Sequence, residues 1–160
     1  MAAVQKNGWA LQYVKKQTTE LCLVAVQQDG WALEFVTEQT PEICLAALKQ
    51  YGPLEFVTEQ TPEICLEAVK QDGMALKYVQ EQTYELCLEA VKQNGKALKY
   101  IKEQTHELCL EAVKQDGYAL GLVRKQTNEL CLEAVKQNGM ALKSVRDLEL
   151  KEKIKLERNL

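Results

Sequence analysis

Seven glycines fall on a fixed beat. Gly8, Gly30, Gly52, Gly73, Gly95, Gly117 and Gly139 lie 22, 22, 21, 22, 22 and 22 residues apart. Cys22, Cys44, Cys65, Cys87, Cys109 and Cys131 keep the same interval. One full period runs from Cys65 through Gly73 and Thr83 to Leu86, and its neighbours are nearly identical. Self-similarity at this period marks a repeat array in which each unit buries its apolar face against the next.

The residues inside a period read as two short helices. Thr40-Pro41-Glu42 and Thr61-Pro62-Glu63 place an N-cap threonine, a proline at the first helical position and an acid in the first turn. Ile43, Cys44, Ala47 and Leu48 then share one helical face. The Gln-Asn-Gly or Gln-Asp-Gly that follows this face in most periods predicts a stop, with glycine in the left-handed C′ conformation. Ala75, Leu76 and Val79 predict a second helix that runs to the next threonine. Helices of about 8 to 11 residues do not persist alone in water, so stacking must hold them. The fold class is therefore all-α: an α-solenoid of about seven 22-residue helix-turn-helix repeats. A continuous lipid-binding helix fits poorly, because it would carry a glycine in every period as well as Pro41 and Pro62.

The segment Ala90-Val91-Lys92-Gln93-Asn94-Gly95-Lys96-Ala97-Leu98-Lys99-Tyr100-Ile101 resembles a tandem repeat family of bacteria and large DNA viruses, known as domain of unknown function 4116. The resemblance covers Ala3 to about Val145. It implies an all-helical repeat and no particular activity. The chain departs from the pattern at Gly52-Pro53-Leu54, where one residue is missing. There Pro53 is expected to start the second helix while the turn absorbs the deletion.

The array is read as one domain over residues 1–146, its first repeat lacking the Thr-x-Glu-Leu-Cys-Leu half. Residues 147–160 read as a charged helix, a C-terminal cap or the lead-in to a further segment. The missing polar cap before Ala3 is expected to mean either a fragment of a longer array or an end that meets something. So regular a repeat is also compatible with a consensus-designed chain.

Composition narrows the function. The chain has 160 residues, 46% hydrophobic and 27% charged, with net charge −3. A mildly acidic balance argues against nucleic acid as a partner. No apolar run approaches the roughly 18 to 20 residues of a membrane span, and Met1 to Lys6 lacks the pattern of a secretory leader. The cysteines recur one repeat apart, roughly 9 to 10 Å by helix packing distances, too far for disulfides. They form no Cys-x-x-Cys or Cys/His cluster for zinc. They read as small buried hydrophobes and point to a reducing compartment, the cytoplasm, or a host cytosol for a viral or secreted protein.

No catalytic, cofactor or metal residues are assigned. His106 is the only histidine and stands at a variable helix start. The recurring acids Glu20, Glu42, Glu63, Glu85, Glu107 and Glu129 occupy capping positions. No phosphate loop or nucleophile triad is present, so the expectation is not an enzyme and no small-molecule substrate.

Variation concentrates just after each glycine, at Trp9, Trp31, Met74, Lys96, Tyr118 and Met140. These side chains either pack across repeat junctions or form a stripe that contacts a protein or peptide. Lys77, Lys99, Lys102, Arg124, Lys143 and Arg146 add a basic stripe in the second half, where the first half carries Glu34, Thr37, Glu55 and Thr58. Residues 1–64 hold 4 Lys against 8 Asp and Glu, net −4; residues 65–160 hold 16 basic against 15 acidic, net +1. Two functions follow. One is a non-enzymatic scaffold with an elongated surface for a protein or peptide. The other is a structural array or spacer that associates head to tail.

Overall fold

Each period contains one α-helix opened by a threonine. The computed structural model describes residues 2–158. Their α-helices are α1 (Ala2–Lys6), α2 (Thr19–Gln28), α3 (Pro41–Lys49), α4 (Pro62–Gln71), α5 (Tyr84–Gln93), α6 (His106–Gln115), α7 (Asn128–Gln137) and α8 (Leu148–Arg158). Before each of α2 to α7, a threonine Oγ1 accepts the backbone N–H three residues on, at 3.2–3.3 Å. Those hydrogen bonds satisfy donors that a helix start otherwise leaves open. The recurring glutamates sit in the first turns, against the positive helix end.

The second element of each period is not an α-helix. It is a six-residue 3₁₀ helix: Gly8–Tyr13, Gly30–Phe35, Gly73–Tyr78, Gly95–Tyr100, Gly117–Leu122 and Gly139–Ser144. No multi-residue turn precedes it. Asp29, Asn94, Asp116 and Asn138 each cap two elements, ending one α-helix and opening the 3₁₀ helix. Their side-chain oxygens accept the N–H of the residue after glycine at 2.9–3.0 Å. The all-α repeat class expected from the sequence holds, with this shorter and tighter second helix.

The left-handed glycines do not materialise: no glycine among the described residues has positive φ. Their role is close approach. A Cβ on Gly73, Gly95 or Gly117 would lie 2.5–2.7 Å from the carbonyl oxygen of Ala90, Ala112 or Ala134 in the following α-helix. Glycine lets the 3₁₀ start rest on that helix backbone.

The one-residue deletion has a local solution. α3 ends in a Schellman motif: Tyr51 N–H bonds Leu48 O and Gly52 N–H bonds Ala47 O, both at 2.9 Å. Tyr51 takes the left-handed conformation, φ 58°. Pro53 does not start a full helix. It precedes a 3₁₀ turn cut to three residues, Leu54–Phe56.

The described residues gather into two compact units. The first runs up to Gln71 and includes Tyr78–Gln80; the second comprises Asp72–Lys77 and the residues from Glu81 on. Each is a stretch of solenoid. In the first, α2 packs on α3 and α3 on α4; in the second, α5 packs on α6 and α6 on α7. The 3₁₀ helices stack beside them as a second layer, Gly8–Tyr13 against Gly30–Phe35 and Gly117–Leu122 against Gly139–Ser144. Between the layers lie the core residues of every period, such as Leu86, Cys87, Ala90, Val91, Ala97, Leu98 and Ile101. α8, in the second unit, contributes one buried side chain, Ile154, and exposes Leu148 and Leu156.

Candidate functional site

The residue after Gly8, Gly30, Gly73, Gly95, Gly117 and Gly139 stands on the first turn of its 3₁₀ helix, with its N–H held by the Asp or Asn before the glycine. In the first unit, Trp9 and Trp31 occupy this position. Trp9 packs edge-on against Phe35 at a centroid distance of 5.5 Å, and Trp31 against Phe56 at 6.0 Å. Trp9 Nε1 also donates to Asp29 Oδ2 at 2.6 Å. Each tryptophan thus braces itself on the next repeat, yet they remain 40% and 45% exposed. In the second unit, Tyr118 and Met140 are 52% and 48% exposed. Lys96 is exposed and Met74 is half-buried. The register both packs across repeats and leaves apolar surface open to water, so the two readings of these residues are not exclusive.

The six cysteines are buried free thiols. Burial raises each above its ordinary value, with Arg124 partly offsetting this at Cys109 and Arg146 at Cys131. Their surroundings include a residue whose role the sequence reading missed, the glutamine before each capping threonine. Gln17, Gln39, Gln60, Gln82, Gln104 and Gln126 each reach into the following repeat. Nε2 donates to the carbonyl of Phe35, Phe56, Tyr78, Tyr100, Leu122 or Ser144 at 2.7–3.1 Å. Oε1 accepts the backbone N–H two residues further on, at 2.9–3.1 Å. The thiol five residues after the glutamine donates to the same Oε1 at 3.5–3.8 Å. One amide therefore holds the chain at the end of each of these six 3₁₀ elements, by the carbonyl and by the N–H two residues on. The available signal was its recurrence at a position that helix capping does not explain.

A second glutamine series links the glycines of the second unit. Gln93, Gln115 and Gln137 Oε1 accept the N–H of Gly73, Gly95 and Gly117 at 2.7–2.8 Å. Side chains at the helix starts also pair across repeats. His106 Nε2 lies 3.1 Å from Glu129 Oε2, both groups exposed. The Tyr84 hydroxyl donates to Glu107, whose carboxylate pushes the phenol up to about 12. Glu107 and Glu129 thus act as cross-repeat acceptors besides lying in first helical turns.

Among the described residues, no three or more His, Cys, Asp and Glu side chains converge as metal ligands would. No described helix is long and apolar enough to cross a membrane. Open cavities accompany the α layer. One of about 490 Å³ lies between α2 and α3, lined by Leu23, Gln27, Glu42, Leu45, Ala46 and Lys49 among others. One of about 410 Å³ lies at the N-terminal ends of α6 and α7.

No curated protein and no solved structure matches the chain. The family described as Domain of unknown function (DUF4116) matches residues 1–40, 40–83, 61–106, 83–127 and 105–151. The last four begin at or beside capping threonines, Thr40, Thr61, Thr83 and Thr105, and each spans two periods of the array. The match covers the chain from residue 1 to 151 in overlapping steps of one structural repeat, and the chain belongs to this family.

Proposed function

We propose that the chain is a non-enzymatic scaffold that binds a protein or peptide through the register following each glycine. The contacts would be Trp9 and Trp31 in the first unit and Met74, Lys96, Tyr118 and Met140 in the second. The observation that carries this reading is the pair of tryptophans, each fixed by an edge-on phenylalanine and still close to half exposed. A braced aromatic loses little side-chain entropy on binding, and Trp, Tyr and Met are favoured at interfaces. Core positions repeat almost unchanged while this register varies, as expected where packing is constant and the ligand is not. Free buried thiols in every full period support a reducing compartment such as the cytoplasm.

The test is selection from a displayed peptide library on the intact chain and on the Trp31→Ala/Tyr118→Ala variant. Peptides enriched by the parent and lost by the variant support the reading. Equal enrichment by both removes the register from the binding surface.

A second reading, head-to-tail self-association, draws on the charge difference between residues 1–64 and 65–160, net −4 and +1. Light scattering over a range of concentration and salt tests it. A salt-sensitive rise in mass with concentration favours assembly, and a constant monomer mass of about 18.1 kDa opposes it.

A further inference from the structure

The junction before α7 reverses the charge that the four preceding junctions carry. The position before the bridging glutamine is Glu38, Glu59, Glu81 and Glu103 in four successive periods and becomes Lys125 in the next. The residue before it changes as well, from Thr37, Thr58, Gln80 and Lys102 to Arg124. These two cations line the 410 Å³ cavity at the starts of α6 and α7, with Gln104, His106, Cys109, Thr127 and Leu130 as the other walls. Among the described residues no carboxylate lines it. Glu129 lies at its rim, bonded to His106. Lys15 and Lys16, the other basic pair at this register, close the first period, whose α-helix α1 spans only five residues.

Arg124 is held in place. Its Nη1 donates to Lys102 O at 2.6 Å and its Nη2 to Ile101 O at 2.9 Å, while its backbone N–H is held by Gln104. Two neutral carbonyls fix the guanidinium without cancelling its charge. That charge reaches the back of the cavity, where it lowers the buried Cys109 thiol against the rise imposed by burial. Lys125 is exposed and has the reach of a long, mobile stem. A fixed cation beside a mobile one in a concave, half-apolar site suits an anionic oxygen group, and basic clusters are a recurring means of recognising acidic or phosphorylated peptides.

We propose that this cleft is an oxyanion-binding site that receives an acidic or phosphorylated side chain of a bound peptide. It deepens the peptide-binding reading above and rests on it. Leu130 and the stem of Arg124 give the peptide an apolar wall, and the Thr127 hydroxyl lies beside the charged group.

The test uses degenerate decapeptide pools with a fixed central phosphoserine, glutamate or serine, with binding to the intact chain read by fluorescence anisotropy. Inorganic phosphate serves as competitor. The phosphoserine and glutamate pools are expected to bind about tenfold or more tightly than the serine pool, with the gap closing as salt rises. Lys125→Glu installs the residue that four other periods already carry at this register, so it preserves the fold, and it should abolish the gap. Lys125→Gln should halve it on a logarithmic scale. A gap that survives Lys125→Glu overturns the site, as does the absence of any gap in the parent. Complete displacement by inorganic phosphate with no preference for the peptide pools overturns the peptide source in favour of a free oxyanion. The Trp31→Ala/Tyr118→Ala variant separates the two proposals. It should weaken all three pools alike and leave the gap intact, and failure to weaken them counts against the aromatic register alone.

Discussion

Gln17 reaches eighteen residues forward to hold the carbonyl of Phe35 at 2.7 Å, while its other amide atom accepts the Thr37 N–H at 3.0 Å. A single side chain thus completes the backbone bonding where the next 3₁₀ helix ends. The same relationship recurs through Gln126.

Removing such a glutamine leaves a carbonyl and an N–H without partners. Gln104→Ala should lower stability by about 1–3 kcal/mol, the loss of two hydrogen bonds at about 0.5–1.5 kcal/mol each. Gln104→Glu should also destabilise, because a carboxylate cannot donate to the Leu122 carbonyl. Urea unfolding of each variant beside the parent is the measurement, and an unchanged midpoint would show that water replaces the amide.

Two glycines of the same 3₁₀ layer should respond oppositely to alanine. A Cβ on Gly95 meets Ala112 O at 2.7 Å, whereas one on Gly121 finds nothing nearer than Ser144 Oγ at 3.6 Å. Gly95→Ala should cost about 2–3 kcal/mol by forcing α6 away. Gly121→Ala should raise stability by about 0.5 kcal/mol by restricting the unfolded chain. Thermal melts of the pair would separate backbone crowding from chain flexibility.

Tyr51 is 74% exposed and adopts the left-handed conformation at the end of α3. Its side chain gains little from packing, while its backbone is in a region that costs a non-glycine residue about 1–2 kcal/mol. Tyr51→Gly should therefore stabilise the chain by about 1 kcal/mol, and Tyr51→Ala, which keeps the strain, should not. Equal melting temperatures for the two variants would remove strain as the cause.

The Tyr84 phenol, raised to about 12 by Glu107, should titrate well above the ordinary tyrosine value near 10. Its folded value exceeds the unfolded value near 10, so the hydrogen bond contributes fully below about pH 10 and is lost as pH climbs towards 12. Absorbance titration of phenolate formation in the parent and in Glu107→Gln should show a late component that the substitution moves towards the ordinary range.

Burial likewise raises all six thiols. A disulfide reagent at about pH 8 should find them nearly unreactive in the native chain and release all six on denaturation, since the attacking species is the thiolate. Rapid reaction of Cys109 alone would mean that the cleft at Arg124 admits the reagent and that Arg124 activates the thiol.

Much of this architecture is legible in the linear chain. Thr40 and Thr61 announce their helix starts because capping is decided within three residues, and Ile43, Cys44, Ala47 and Leu48 declare a buried face because helical periodicity is local. The exposed register from Trp9 to Met140 stands out as variation against constancy. What sequence alone determined is therefore the period, the caps, the core positions and the repeat class. Tertiary structure decided the rest. Gly95 looks like a helix terminator, yet its need for a bare backbone comes from Ala112, seventeen residues later. Gln104 looks like a polar linker residue, yet its partners lie at Leu122 and Arg124. The second element of each period is 3₁₀, and from Gly30–Phe35 on the preceding repeat's glutamine grips its end. Each of these features depends on groups brought together only when one repeat stacks on another, and most of the contacting groups are backbone atoms, which carry no residue identity for a sequence to display.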